Sequence, residues 1–376
     1  MNGLISVLSF LFVIAVLIAV HEWGHYRMAT LVGVRVIRFS LGFGKPLLKW
    51  TPKRQPLLDG QPQTTEFVIA ALPFGGYVKM QDEREPDQPT IAANDLHQSF
   101  NRKPLWARAA VVFAGPLANF VLAIFLFAAL NWVGTTLPKA RLAEIVAGGA
   151  AASAQLQAGD LVLGVDDRKI TDSIQLRELI RQSNQGSVQN WLIERQGQQQ
   201  TIAVTPRVIS EASEFLGQEQ IGRVGAIIGT PKELVHVHFG FFDGLALGVQ
   251  KTWDLSVLTL KTLARMMVGE VSLKNLTGPV TVAEYSGKTA ALGIATFTLF
   301  LGLMSVSLGV LNLLPLPMLD GGHLMYYLWE LLTGKAVSEE WLDKLQRGGF
   351  VLLIVLTVLA LYNDLVRVFG LHSFFG

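Results

Sequence analysis

Long apolar runs alternate with mixed segments along the chain, and the apolar runs set the architecture. Four of them, roughly 4–25, 106–133, 292–314 and 349–369, approach the ~20 residues that a helix needs to cross ~30 Å of hydrocarbon. Trp106 and Trp132 bracket the second run like an interfacial aromatic belt. Between the second and third runs the pattern shortens. RLAEIVA, DLVLGVDD, VQNWLIERQG and QQTIAVTP alternate with the period of half-buried strands, and SIQLRELIRQS (173–183) has helical spacing. The later stretch FDGLALGVQKTWDLSVLTLKTLARMMVG is amphipathic. Lys251, Asp254, Lys261 and Arg265 interrupt it, so it predicts an interfacial helix and not a fifth span.

Between the first two runs, EFVIAALPFGGYVKM (66–80) reads as two short strands hinged at Pro73-Phe74-Gly75-Gly76. It is too apolar for a solvent loop. Either it touches the membrane or active site, or it forms a small cytoplasmic sheet packed on itself. The polar run 81–95 that follows predicts an exposed, mobile segment.

Composition supports a membrane protein. Of 376 residues, 51% are hydrophobic and 16% charged, well under the roughly 25% charged of soluble domains. The N-terminus has no basic region and no small-residue cleavage site, which predicts a retained helix. A net charge of +2 gives no reason to expect nucleic acid, and without cysteine there is neither a disulfide framework nor a thiolate metal site. Eleven Lys and Arg residues lie between the first two runs, and the N-terminal flank has none. The positive-inside rule then puts 26–105 and 315–348 in the cytoplasm, and both termini and 134–291 outside.

The candidate chemistry begins at the end of the first run, with His21-Glu22-Trp23-Gly24-His25. Residues four apart share one helix face, so both imidazoles can bind one metal ion. Glu22 follows the first ligand, where it can act as base toward a water. The alternative is an interfacial histidine pair with no metal. Against it stands the default functional meaning of ionisable groups at membrane depth. A catalytic zinc needs a third protein ligand and an open position. Asp320 is the carboxylate nearest the third run, in Asn312-Leu-Leu-Pro315-Leu-Pro317-Met-Leu-Asp320-Gly-Gly. It is a third-ligand candidate, since spans one and three both run inward and reach similar depth. Alone, it reads equally well as a helix-capping turn.

Taken together, these motifs resemble a known family. HExxH in the first span, Gly115-Pro116-x-x-Asn119 in the second and NLLPLPMLDGG in the third are similar to the site-2 proteases, intramembrane zinc metalloproteases. The likeness covers nearly the whole chain and is closest to the bacterial members that regulate sigma-E. FVIAALPFGGYVKM and TGPVTVAEYSG (277–287) match that group as well. AAASAQLQAGDLVLGVDDRKI resembles bacterial PDZ domains, circularly permuted, with Arg223, Val224 and Gly225 entering the peptide groove. Members close to the enterobacterial type carry two such domains in tandem and single-PDZ members exist in the wider family; one fits here.

The resemblance implies that His21, His25 and Asp320 bind Zn2+, that Glu22 is the catalytic acid/base, and that Asn312, Pro315 and Pro317 shape the substrate channel. It implies a mainly α membrane protein of four transmembrane helices, with a membrane-associated β-hairpin and an inserted α/β PDZ domain. The expected segments are 1–137 (two spans, HExxH and hairpin), 138–230 (periplasmic PDZ), 231–291 (amphipathic linker) and 292–376 (two spans and LDG). The expected setting is the bacterial inner membrane. The expected substrates are single-span proteins such as an anti-sigma factor already cut on its outer side, and remnant signal peptides. An unwound substrate also needs partners for its backbone, and the hairpin edge at Gly75, Gly76, Tyr77 and Val78 is the expected one. One rival is a tethered protease acting on soluble proteins. The other is a membrane-embedded PDZ scaffold whose metal site is not catalytic.

Overall fold

The computed structural model describes residues 3–52, 57–58, 61–62, 64–84, 91–213, 217–230 and 233–369. An apolar run in hydrocarbon must satisfy its own backbone, and a helix does so within one segment. In chain order the described α-helices are α1 (Gly3–Leu31), α2 (Leu105–Val133), α3 (Ala150–Ser153), α4 (Ser173–Arg181), α5 (Phe241–Met267), α6 (Pro279–Ala291), α7 (Ile294–Asn312), α8 (Asp320–Thr333) and α9 (Glu339–Phe369). Four of these, α1, α2, α7 and α9, are long and apolar enough to cross a membrane. The protein is mainly helical, with several strands.

Two boundaries differ from the sequence expectation. The first span does not end at HEWGH; α1 continues to Leu31, so the motif lies inside a continuous helix. The fourth begins ten residues early, because the charged segment from Glu339 is itself helical and runs unbroken into the apolar run. The interfacial helix expected after 240 is α5, and α6 follows it.

The chain divides into two compact units, one of residues 1–127, 248–260 and 273–376 and the other of 128–247 and 261–272. In the first unit, Val13 and Leu17 of α1 pack against Phe300 and Leu301 of α7. Phe127 of α2 packs with Val306 and Val310 of α7. A Cβ at Gly302 would stand 2.5 Å from the Phe127 ring, so this contact requires glycine. Asp364 of α9 accepts hydrogen bonds from the backbone N–H groups of Gly278, Val280 and Thr281, capping α6 at its positive end.

The sheet of this unit corrects the hairpin expectation. Strand Val36–Trp50 pairs antiparallel with strand Glu66–Met80. The two halves of 66–80 do not pair with each other. Phe39 and Ser40 pair with Val78 and Tyr77 on one side and with Phe67 and Val68 on the other. Residues 36–41 are thus central, and 76–80 is an edge. Tyr26, Val34, Val36, Phe39 and Val111 form the cluster that joins sheet to helices. The run 81–95 is not uniformly exposed: Gln81 and Asp82 are buried, Asp82 pairs with Arg84 at 2.6 Å, and Ala93–Gln98 is a 3-10 helix. Residues 85–90 lie outside the described residues.

The second unit holds the alternating segments. Strands Gln198–Val204, Gln189–Arg195, Leu161–Val165 and Arg168–Lys169 form an antiparallel sheet in that order. Leu142–Ile145 pairs with Ala226–Ile228. The core is built on Trp191, Leu142, Leu176 and Ile193. Asp172 caps α4 by accepting from the N–H groups of Ile174 and Gln175. Arg223 ends the strand Gly217–Arg223 and does not continue into Ala226–Ile228, because Gly225 turns the chain at φ +73°.

Candidate metal centre

The site is built where α1 and α2 cross closely. Gly24 makes this possible, since a Cβ there would stand 2.3 Å from the Ala114 carbonyl oxygen. Gly115 does the same for the imidazoles: its Cβ would stand 2.3 Å from His25 Nε2 and 2.9 Å from His21 Cε1. Helical spacing puts the two rings on the face turned toward α2. The turn 313–319 then brings Asp320, the first residue of α8, to the same point. Gly322 packs so closely under this turn that a Cβ would stand 2.3 Å from the Leu316 carbonyl oxygen.

His21 Nε2 lies 3.1 Å from His25 Nε2 and 3.1 Å from Asp320 Oδ2, and His25 Nε2 lies 3.5 Å from the same oxygen. A tetrahedral ion with bonds of ~2.0–2.1 Å separates its ligands by about 3.3 Å, so the spacing fits zinc. The electrostatics fit too. Asp320 Oδ2 is buried without a hydrogen-bond donor. Two imidazole nitrogens and a carboxylate oxygen converging on one buried point repel unless a cation or shared proton sits between them. Among the described residues this is the one cluster of three such groups. Burial opposes ionisation of Asp320, but the two imidazoles outweigh it and hold its carboxyl well below the usual range. The His25 Nδ1–H donates to the Val111 carbonyl at 2.8 Å, which leaves the Nε2 lone pair facing the cluster.

Beside the cluster lies a cavity of about 370 Å³, bordered by Glu22, His25, Val78, Asp82, Asp320, His323 and Tyr327 among others. Glu22 is itself buried. The edge strand runs directly past it: a Cβ at Gly76 would stand 2.9 Å from Glu22 Cγ. Burial pushes the Tyr327 phenol up to about 12 against a partial offset from Arg108, whose guanidinium lies 5.1 Å from the ring centroid. Burial also pushes the His323 imidazole down.

The model of peptidase family M50 matches residues 9–356. The chain belongs to peptidase family M50. A relative from Ralstonia nicotianae, a zinc metalloprotease by name, is 36% identical over 98% of this chain and 100% of its own. One from Rickettsia conorii, also a zinc metalloprotease by name, is 34% identical over 98% and 100%. The regulator of sigma-E protease RseP of Escherichia coli is 32% identical over 96% and 98%. The Escherichia coli alignment spans 456 positions, more than the 376 residues here, so that relative has a segment this chain lacks. The alignment with the Rickettsia relative spans 373. As an M50 member the protein is a zinc-dependent metalloprotease, with several helices that can cross a membrane.

The M50 chain brings His21, Glu22, His25 and Asp320 together. Of the expected substrate-contact residues, Val78 borders the cavity, and Gly75, Gly76, Tyr77, Asn312, Pro315 and Pro317 do not. Pro315 and Pro317 shape the turn that delivers Asp320. In the second unit, Arg223 pairs with Glu211 at 2.7 Å, and Val224 is buried in the core. Sequence reasoning missed His323 and Tyr327. Their spacing from Asp320, three and seven residues along one helix, was the available signal.

Proposed function

We propose that this M50 member cleaves peptide bonds inside the membrane, with His21, His25 and Asp320 as zinc ligands and Glu22 as acid and base. The observation that carries this is the convergence of two Nε2 atoms and one Oδ2, 3.1 to 3.5 Å from one another, beside a cavity that Glu22 borders. When bound, zinc supplies Lewis-acid activation of water and of the scissile carbonyl. Glu22 takes the proton of the attacking water and returns it to the leaving amine. The substrate is a membrane-spanning segment, unwound because an intact helix hides its carbonyls in internal hydrogen bonds. The edge at Gly76–Val78, unpaired on its outer side among the described residues and passing beside Glu22, receives that unwound strand by backbone pairing. In this reading the substrate class is a single-span anti-sigma factor already cut on its outer side, with remnant signal peptides as a second; the Escherichia coli relative is a regulator of sigma-E by name. In the same reading 138–230 is a circularly permuted PDZ domain outside the inner membrane, admitting substrates whose outer domain has been removed.

The test is Glu22→Gln. Cleavage of a single-span model substrate in detergent or liposomes falls below detection, while zinc stays near one per chain. Loss of zinc in this variant, or full activity in Asp320→Ala, overturns the assignment. A scaffold with a silent metal site predicts no cleavage by the native protein.

A further inference from the structure

The Gly-Pro-x-x-Asn motif of α2 has no part in the chemistry above beyond the room that Gly115 makes. Its asparagine, Asn119, is fully buried. The side-chain amide lies against the first metal ligand, with Nδ2 3.3 Å from His21 Nδ1. Its Oδ1 is buried with no hydrogen-bond partner among the described residues. Its backbone carbonyl accepts the Ser305 hydroxyl at 2.7 Å, so α7 fixes this turn of α2 independently of the amide.

The two imidazoles face one problem. Each must keep Nε2 free of a proton to coordinate, so each must carry its proton on Nδ1 and needs an acceptor there. His25 has one in the Val111 carbonyl. At His21 the only neighbouring group of this kind among the described residues is Asn119. The two ends of an amide are nearly the same shape, and hydrogen bonding decides between them. With Nδ2 toward the ring, the amide donates to Nδ1, and Nε2 must carry the proton. That proton then points at Asp320 Oδ2, 3.1 Å away, and blocks coordination. With Oδ1 toward the ring, Nδ1–H is satisfied and Nε2 is free.

We propose that Asn119 is a positioning residue of the metal centre: its Oδ1 accepts the His21 Nδ1–H and selects the one tautomer that can bind the ion. This rests on the reading of His21 as a ligand. The two orientations make opposite predictions for aspartate, which accepts but cannot donate.

The experiment measures zinc affinity of the full-length protein in detergent, by competition with a chromophoric chelator. Asn119→Leu keeps the volume and removes the acceptor, and weakens zinc binding by about 10–100-fold. Asn119→Asp restores affinity to within a few-fold of native. Asn119→Ala repeats the loss if the leucine variant does not fold, and melting of the zinc-free proteins separates misfolding from lost affinity. Equal weakening in Asn119→Asp and Asn119→Leu overturns the proposal, since the amide then acts as donor. Native affinity in Asn119→Leu overturns it as well. His21→Ala is the separate control: if it keeps native zinc affinity, the ligand assignment itself fails, whatever the Asn119 variants do.

Discussion

At the residue scale the site depends as much on atoms that are missing as on the ligands. Gly115 lies where a methyl group would meet His25 Nε2 at 2.3 Å, and the imidazole cannot retreat without leaving Asp320. Gly115→Ala is therefore expected to lower zinc affinity about 10-fold or more, as changes beside metal ligands do, while α2 stays helical because alanine favours helix. Zinc titration beside circular dichroism checks this. Native affinity in that variant means that the α1–α2 crossing is looser than described. That His21 and His25 lie side by side was readable from spacing alone, since i and i+4 share a helix face. The Val111 carbonyl and the Asn119 amide were not readable as partners. They come from another helix, and only its packing against α1 sets which atom meets which ring nitrogen.

At the element scale the edge strand 76–80 makes the sharpest claim. Its residues pair with 36–41 on one side, and among the described residues no strand pairs with Gly76–Val78 on the other. Along an antiparallel strand, backbone N–H groups point alternately to the two sides. Proline removes one donor without changing charge. In a scan over Gly75 to Lys79, prolines whose lost N–H faced 36–41 should destabilise the sheet, seen as a lower melting temperature. Prolines whose lost N–H faced outward should leave melting and zinc nearly native and still reduce cleavage several-fold. Uniform activity across the folded variants removes strand addition from the mechanism. Local pattern showed that 66–80 was extended and apolar. It showed the halves as each other's partners, because a Pro-Phe-Gly-Gly segment between two strands looks like a hairpin turn. The residues that intervene, 36–41, are distant in sequence, and pattern within one segment carries no information about them.

At the scale of the whole molecule, the distribution of basic residues predicts the orientation through the positive-inside rule. The chain has no cysteine, so single introduced cysteines report cleanly. Gln185 and Glu340 are both exposed. Gln185→Cys in intact cells is expected to react with a membrane-impermeant maleimide, and Glu340→Cys only after lysis. The reverse pattern inverts the topology and puts the metal centre near the opposite face.

The sequence by itself determined the four helices long and apolar enough to span a membrane, the change to shorter strands after 137, and the histidine pair that shares one helix face. Each is written in local periodicity or spacing: about twenty apolar residues, alternation by two, or a repeat at four. The tertiary structure decided the rest. It brings Asp320, 295 residues beyond His25 in the chain, to 3.5 Å from its ring. It makes 76–80 an edge beside Glu22, and it sets Asn119 against His21. These are contacts between segments far apart in the chain. They arise where glycines let helices approach and where a proline-bent turn folds back, so no single segment encodes them.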